Sequence, residues 1–171
     1  FRRLRFWLIQ DRGFVRGQDQ NRELPDLLGL IQRVSEANVI VDGEITGQIE
    51  RGLLLLLGVQ KEDTTSNVSK LALKVFNYRV FPDENGHMNL SLKDIGGGLL
   101  IVPQFTIAAD TKKGLRPSFS SAAPPEQAEN LYNHFVSHAT QQHLKVQNGR
   151  FGADMQVCLV NDGPVTFMLE S

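Results

Sequence analysis

Five consecutive leucines, residues 53–57, stand between Gly52 and Gly58, and no other stretch limits the fold so tightly. The run is far short of the ~18 apolar residues that a membrane span requires. A short apolar run closed by glycines reads instead as a fully buried strand. Upstream, from Leu30, the pattern has period two: Ile31, Arg33, Ser35 and Ala37 alternate with Gln32, Val34 and Glu36. Val39-Ile40-Val41 then runs into Asp42-Gly43, and that dipeptide between β-branched flanks predicts a hairpin with a return strand over 44–49.

Downstream the period changes. Val68, Leu71, Ala72, Val75 and Phe76 form one helical stripe, and Thr64, Thr65 and Ser66 offer N-cap hydroxyls, so a first helix is expected over 65–79. Pro82 ends an extended piece, Asn85-Gly86 makes a turn, and Gly96-Gly97-Gly98 is a further break. An apolar β run over 99–107 contains Pro103. A polar loop over 110–125 leads into a second helix over 125–142, with Pro125 in its first turn and Ala128, Leu131, Tyr132, Phe135, Val136 and Ala139 as its stripe. Three β runs close the chain, over 144–148, 154–160 and 165–169. The order βββαβαβββ predicts an α+β fold, a curved, largely antiparallel, barrel-like sheet with two packed helices.

A length of 171 residues suits one domain, or one domain with a tail. With 41% hydrophobic and 22% charged residues the composition is that of an ordinary globular protein. The single cysteine, Cys158, excludes an intramolecular disulfide framework and fits a reducing compartment. A net charge of −1 excludes a protein that coats nucleic acid by bulk charge, though not a local basic site. Residues 1–26 differ from the rest: six arginines and no lysine against four acids give +2, whereas residues 27–171 carry −3. Asp11, Asp19, Glu23 and Asp26 argue against a targeting peptide. An Arg-rich RNA-binding arm competes with the preferred reading, a non-native or disordered N-terminal extension translated from a mis-assigned start or left by expression cloning, ahead of a functional domain over 27–171.

Chemistry is sparse. His134 and His138 are i, i+4 on the second helix but lie off its apolar stripe and lack the glutamate of a metalloprotease helix, so they read as solvated surface. His87 and His143 show no partner in the sequence. Cys158 alternates with Val157 and Leu159 and reads as a small buried hydrophobe. No paired carboxylates, nucleophile elbow, P-loop or dinucleotide fingerprint occurs. Two places stand out. In Pro103-Gln104-Phe105-Thr106 the proline deletes a ladder donor and belongs at an edge, a bulge or an opening of the strand. Period two puts Gln104 and Thr106 on one face, where they need partners or a ligand. Asn161-Asp162-Gly163-Pro164, the second, reads on its own as a tight turn.

Taken together, Ile31-Gln32-Arg33-Val34, PQFT at 103–106, RPSF at 116–119, GRFGADMQV at 149–157 and NDGPVT at 161–166 resemble the D-aminoacyl-tRNA deacylase family, in order and spacing, over about five-sixths of the chain. The resemblance implies a cytoplasmic homodimer that hydrolyses the ester linking a D-amino acid, or glycine, to tRNA, without cofactor, metal or membrane. It implies a cis Gly163-Pro164 bond that reaches into the partner's active site and excludes L side chains by its backbone. The pocket is completed by Gln104, Phe105 and Thr106. Arg33 matches a family arginine near the Gly-Pro loop, and Phe151 and Met155 match positions near the bound aminoacyl-adenosine.

An aminoacyl ester is already activated, and the neighbouring ribose 2′-OH can assist water. Positioning together with backbone N–H support of the oxyanion then replaces a triad. Thr106 as a nucleophile has no adjacent base in the sequence. The family usually carries serine where Pro103 stands, and proline there resembles a related branch that edits L-alanine mischarged on tRNA. A third reading is a non-catalytic nucleic-acid-binding dimer, in which Lys112, Lys113 and Arg116 form a basic loop for phosphates near the acceptor end.

Overall fold

The computed structural model describes residues 27–112, 114–143 and 145–171. The arginine-rich segment 1–26, Lys113 of the basic loop and Leu144 at the expected start of a late strand lie outside them.

Strand β1 (Leu28–Val41) turns through Asp42 (φ 51°) and Gly43 (φ 81°) into β2 (Glu44–Ile49), the tight hairpin that the dipeptide predicts. β3 (Gly52–Gly58) is the leucine run. It pairs antiparallel with the first half of β1, while β2 pairs with the second half. Helix α1 (Thr65–Asn77) buries all five stripe residues. It stops two residues earlier than the periodicity predicts, because the Asn77 side chain donates to the Leu73 carbonyl (2.7 Å) and Tyr78 is extended.

β4 (Phe81–Pro82) and β5 (Met88–Leu90) make a separate small hairpin, and the one-turn helix α2 (Leu92–Ile95) follows. β6 (Gly98–Pro103) leads into a 3-10 turn (Phe105–Ala108), then α3 (Pro125–Gln142), β7 (Val146–Asn148) and β8 (Gln156–Glu170). Among the described residues three α-helices therefore replace the expected two. The short one was written in Ser91-Leu92-Lys93-Asp94, where Ser91 Oγ accepts from the Asp94 N–H and Asp94 accepts from the Ser91 N–H.

The sheet is largely antiparallel, as expected, since β1 pairs antiparallel with β2, β3 and β8, but it carries a parallel part that the sequence did not disclose. Its order is β2-β1-β3-β6-β7 with β8 on the other side of β1, and β6 runs parallel to both β3 and β7. Each parallel pair needs a crossover connection, and the helical segments before β6 and β7 supply them. β2 curls back onto β7: a Cβ at Gly47 would lie 2.8 Å from the Asn148 carbonyl, which leaves a nearly closed barrel. The leucine run faces two cores. Leu53, Leu55 and Leu57 pack under α1 and α3 with Leu71, Val75 and Phe135, whereas Leu54 and Leu56 face Val39, Leu100 and Val102. Burial on both faces accounts for five leucines without alternation.

Two expectations about side chains are corrected. Cys158 is exposed, because β8 turns Val157 and Leu159 toward the second core and Cys158 to the uncovered face. His143 has a partner after all: its Nε2 lies 2.5 Å from the Gly97 carbonyl and its ring 5.7 Å from that of Phe76. His134 is exposed and His138 half-buried.

Candidate active site

The expected β run over 99–107 ends at Pro103, and the reason is visible in the ladder. The Leu99 N–H donates toward β7 (Lys145 O, 2.8 Å) and the Gln104 N–H toward β3 (Leu57 O, 2.8 Å). Alternation then aims the missing donor of Pro103 at the β7 side, where β7 has already stopped at Asn148. The chain tightens into the 3-10 turn, so Gln104 and Thr106 are not alternate residues of a strand. They meet because Gln104 Nε2 donates to Thr106 Oγ1 (2.5 Å). The N–H groups of Phe105 and Thr106, first in the turn, have no carbonyl partner within it.

A cavity of about 500 Å³ opens beside this turn. Pro103, Gln104 and Phe105 line one side, Phe151 and Met155 another, and Tyr132 lies behind. Phe105 is 60% exposed at the mouth, and its ring stands 5.1 Å from that of Phe119 in the RPSF segment. Gly149 packs closely on this wall, since a Cβ there would sit 2.8 Å from Met155 Sδ and would push that flexible side chain aside. Two of the motifs thus line the cavity from different sides, and the RPSF segment packs on Phe105 at its mouth. Thr106 is exposed and does not line the cavity itself.

Tyr132 is the residue the sequence reading missed, having placed it only in an apolar stripe. Its buried hydroxyl reaches the carbonyls of Ile101 (3.2 Å) and Gly149 (3.0 Å), and its ring lies 5.9 Å from that of Phe151. It therefore ties β6 to the start of the GRFG segment. A hydroxyl on an otherwise apolar stripe was the available signal. Burial pushes the phenol up to about 12. The folded-state value lies above the unfolded one, so this group's contribution to stability is complete below pH ~10 and is lost as pH rises through about 12. Tyr132→Phe is expected to cost about 1 kcal/mol at neutral pH. The gap to the unaltered protein should close between about pH 9 and pH 12 in denaturant titrations. A gap constant with pH would mean that the hydroxyl ionises as freely folded as unfolded.

Asn161-Asp162-Gly163-Pro164 is not a turn between two strands. β8 runs through it, and β1 sets the register: Val34 pairs with Asn161 and Gln32 with Thr166, so residues 162–165 bulge out opposite Arg33 alone. Arg33 Nε donates to the Asp162 carbonyl (2.8 Å) and Nη1 to the Val80 carbonyl (2.6 Å), with Asp162 Oδ2 3.3 Å from Nε. Asn161 Oδ1 accepts from the Val165 N–H (2.7 Å), and Asn161 Nδ2 donates to Thr166 Oγ1 (3.0 Å). The bulge is held at both ends while its tip, Gly163-Pro164, is exposed and joined by a cis bond.

Gln104, Phe105, Phe151 and Met155 are thus brought together. Gly163, Pro164 and Arg33 form a second cluster that does not line the cavity of the same chain. Lys112 and Arg116 are exposed on a loop closed by the Asp110–Ser118 bridge, and their side chains are not part of the cavity wall. Among the described residues no three His, Cys, Asp or Glu side chains gather as metal ligands, and no helix is long and apolar enough to cross a membrane.

Comparison with known proteins gives the family. The family model described as D-Tyr-tRNA(Tyr) deacylase matches residues 30–170. A D-aminoacyl-tRNA deacylase of Shewanella amazonensis is 62% identical over 144 residues, covering 84% of this chain and 99% of that protein. That of Stutzerimonas stutzeri is 64% identical over 143 residues, with the same coverage. A solved structure of a c-Myc DNA unwinding element binding protein superposes with a TM-score of 0.81 at 42% identity, covering 84% of this chain and 98% of that one.

Proposed function

The chain belongs to the D-Tyr-tRNA(Tyr) deacylase family, and from that premise we propose that it hydrolyses the ester joining a D-amino acid to tRNA, releasing the free D-amino acid and tRNA. The observation that carries this reading is the convergence of Gln104, Phe105, Phe151 and Met155 on one cavity, with the family match spanning all of them. The chemistry asks little of side chains. Thr106 Oγ1 is held by an amide N–H of Gln104, a donor and not a base, which argues against a covalent threonine. Water assisted by the ribose 2′-OH attacks the ester carbonyl, and the N–H groups of Phe105 and Thr106 are the donors available to the oxyanion.

Chirality is read by backbone. A side-chain sieve separates residues differing by a methylene by only ~1–3 kcal/mol, whereas a steric block at Cα rejects every L side chain alike. In this proposal the Gly163-Pro164 tip of one protomer supplies that block in its partner's cavity. Support comes from the tip's exposure and its separation from the cavity of its own chain. The working unit is then a cytoplasmic homodimer whose site is completed across subunits and which also clears glycine mischarged on tRNA for alanine. Single-turnover release of tyrosine from matched D-Tyr-tRNA and L-Tyr-tRNA tests the whole reading. Release from the D form alone is expected; release from neither sinks it, and release from L-Ala-tRNA instead moves the chain to the L-alanine-editing branch that Pro103 resembles.

The name of the 42%-identical structure favours one second reading, a nucleic-acid-binding protein without turnover. That reading requires tight binding with a steep salt slope and no released amino acid.

A further inference from the structure

We propose that the outer face of α1 is a docking surface for the phosphate backbone of the tRNA substrate, separate from the 112–116 loop; this rests on the deacylase reading above. The face is a shallow groove lined by Lys70, Leu73, Lys74, Asn77 and Tyr78, with the Phe167 ring packed edge-on against Tyr78 at 5.5 Å. Its charge is out of keeping with its surroundings. Residues 27–171 carry −3, yet α1 holds two lysines and no acid, and both lysines point outward one turn apart. Lys74 Nζ donates to the Glu170 backbone carbonyl, which fixes the ammonium at the rim and leaves its other protons free to meet an anion. Arg79 belongs elsewhere, since its charge acts on Asp94 at α2. Leu73, beside both lysines, is 63% exposed, and Phe167, packed on Tyr78 at the groove's edge, is 37% exposed; together with Tyr78 they give an apolar and aromatic surface of the kind on which a ribose or an unpaired base rests.

Position names the occupant. Phe167 follows Pro164 by three residues, and Arg33, which holds the Gly-Pro bulge, donates to the carbonyl of Val80 just beyond Tyr78. The groove and the bulge are thus tied together through Phe167 against Tyr78 and through Arg33 on the Val80 carbonyl. If the tip of that bulge stands beside the aminoacyl group in the partner's cavity, the groove faces the same tRNA farther from its 3′ end. A free phosphate or nucleotide would have no reason to need the bulge, whereas a strand leaving the cavity would cross both.

The test is a pair of variants on a pair of substrates. Lys70→Glu/Lys74→Glu should raise KM for D-Tyr-tRNA at least tenfold with kcat nearly unchanged, and should flatten the salt dependence of kcat/KM by about two phosphate contacts. Hydrolysis of D-tyrosyl-adenosine, which has no stem, should not change. Lys70→Arg/Lys74→Arg should behave as the unaltered protein, which separates lost charge from damaged packing. Equal kcat/KM on tRNA in all three proteins overturns the inference and leaves a surface better suited to a protein partner. Equal losses on tRNA and on the adenosine ester also overturn it, because the effect would then be structural. If the unaltered protein hydrolyses neither substrate, the deacylase reading itself fails, and this inference with it.

Discussion

Gly163→Ala is expected to slow single-turnover release from D-Tyr-tRNA by about a hundredfold, the order of loss that follows when a positioning group moves by ~1 Å. The melting temperature should fall by only about 2–4 °C. Gly163 has φ 148°, a region that L side chains rarely adopt. An added Cβ would lie 2.6 Å from Val165 Cγ2, 2.9 Å from the Val165 amide nitrogen and 3.2 Å from Arg33 Nη2. The side chains could swing aside, but the Val165 nitrogen cannot, because its N–H is bonded to Asn161 Oδ1 at 2.7 Å. The tip must therefore move relative to its own base. It is exposed and free to move outward, so the stability loss should stay near ~1 kcal/mol. Rejection of L-Tyr-tRNA should weaken in the same variant, since the displaced backbone no longer fills the space at Cα. A folded Gly163→Ala protein with unchanged D release and unchanged L rejection would remove the tip from the active site.

That bulge also marks the limit of what the sequence discloses. Period-two patterning identified β1, the Asp42-Gly43 turn identified β2, the glycine-closed leucine run identified β3, and the helical stripes identified α1 and α3, because each signal is local in the chain. The leucine run disclosed burial on both faces but not the parallel strand beside it, since pairing direction is set by connections and not by the strand's own residues. β8 read as two strands because Gly163-Pro164 is locally a breaker. Its continuity comes from β1, more than 120 residues upstream, where Arg33 faces four residues at once. Cys158 failed for a related reason: alternation says which residues share a face, not whether that face is covered. Tyr132 shows the same gap at the site. Its place in a helix was legible, but the two carbonyls it joins are Ile101 and Gly149, which only the folded chain brings together.

The largest loss of stability is expected at the end of the β3–β6 pair opposite the cavity. Gly52 and Gly98 face each other across the parallel pair β3–β6, and a Cβ on Gly52 would fall 1.9 Å from the Gly98 carbonyl oxygen, 2.6 Å from its nitrogen and 2.7 Å from its carbonyl carbon. All three are backbone atoms, so no rotamer relieves the overlap. Gly98 has little room to yield on its other side, where Ile49 packs so closely that a Cβ built on Gly98 would fall 2.8 Å from Ile49 Cβ. Gly52→Ala must then part the two strands and break the bond from the Gly98 N–H to the Arg51 carbonyl (3.0 Å). Leu53, Leu55, Leu99 and Ile101 carry the helix-side core on these strands, and Leu54, Leu100 and Val102 the other, so separation loosens both. A loss of at least ~3 kcal/mol is expected, a large share of the ~5–15 kcal/mol that holds a domain folded. Gly86→Ala is the control. Gly86 has φ 80° with nothing within 4 Å of its Cβ position, so it reports the conformational penalty alone, about 1 kcal/mol. Urea titrations of the two variants decide between sterics and backbone freedom. If Gly52→Ala lowers the midpoint no more than Gly86→Ala, the close approach of β3 to β6 is not what requires glycine there.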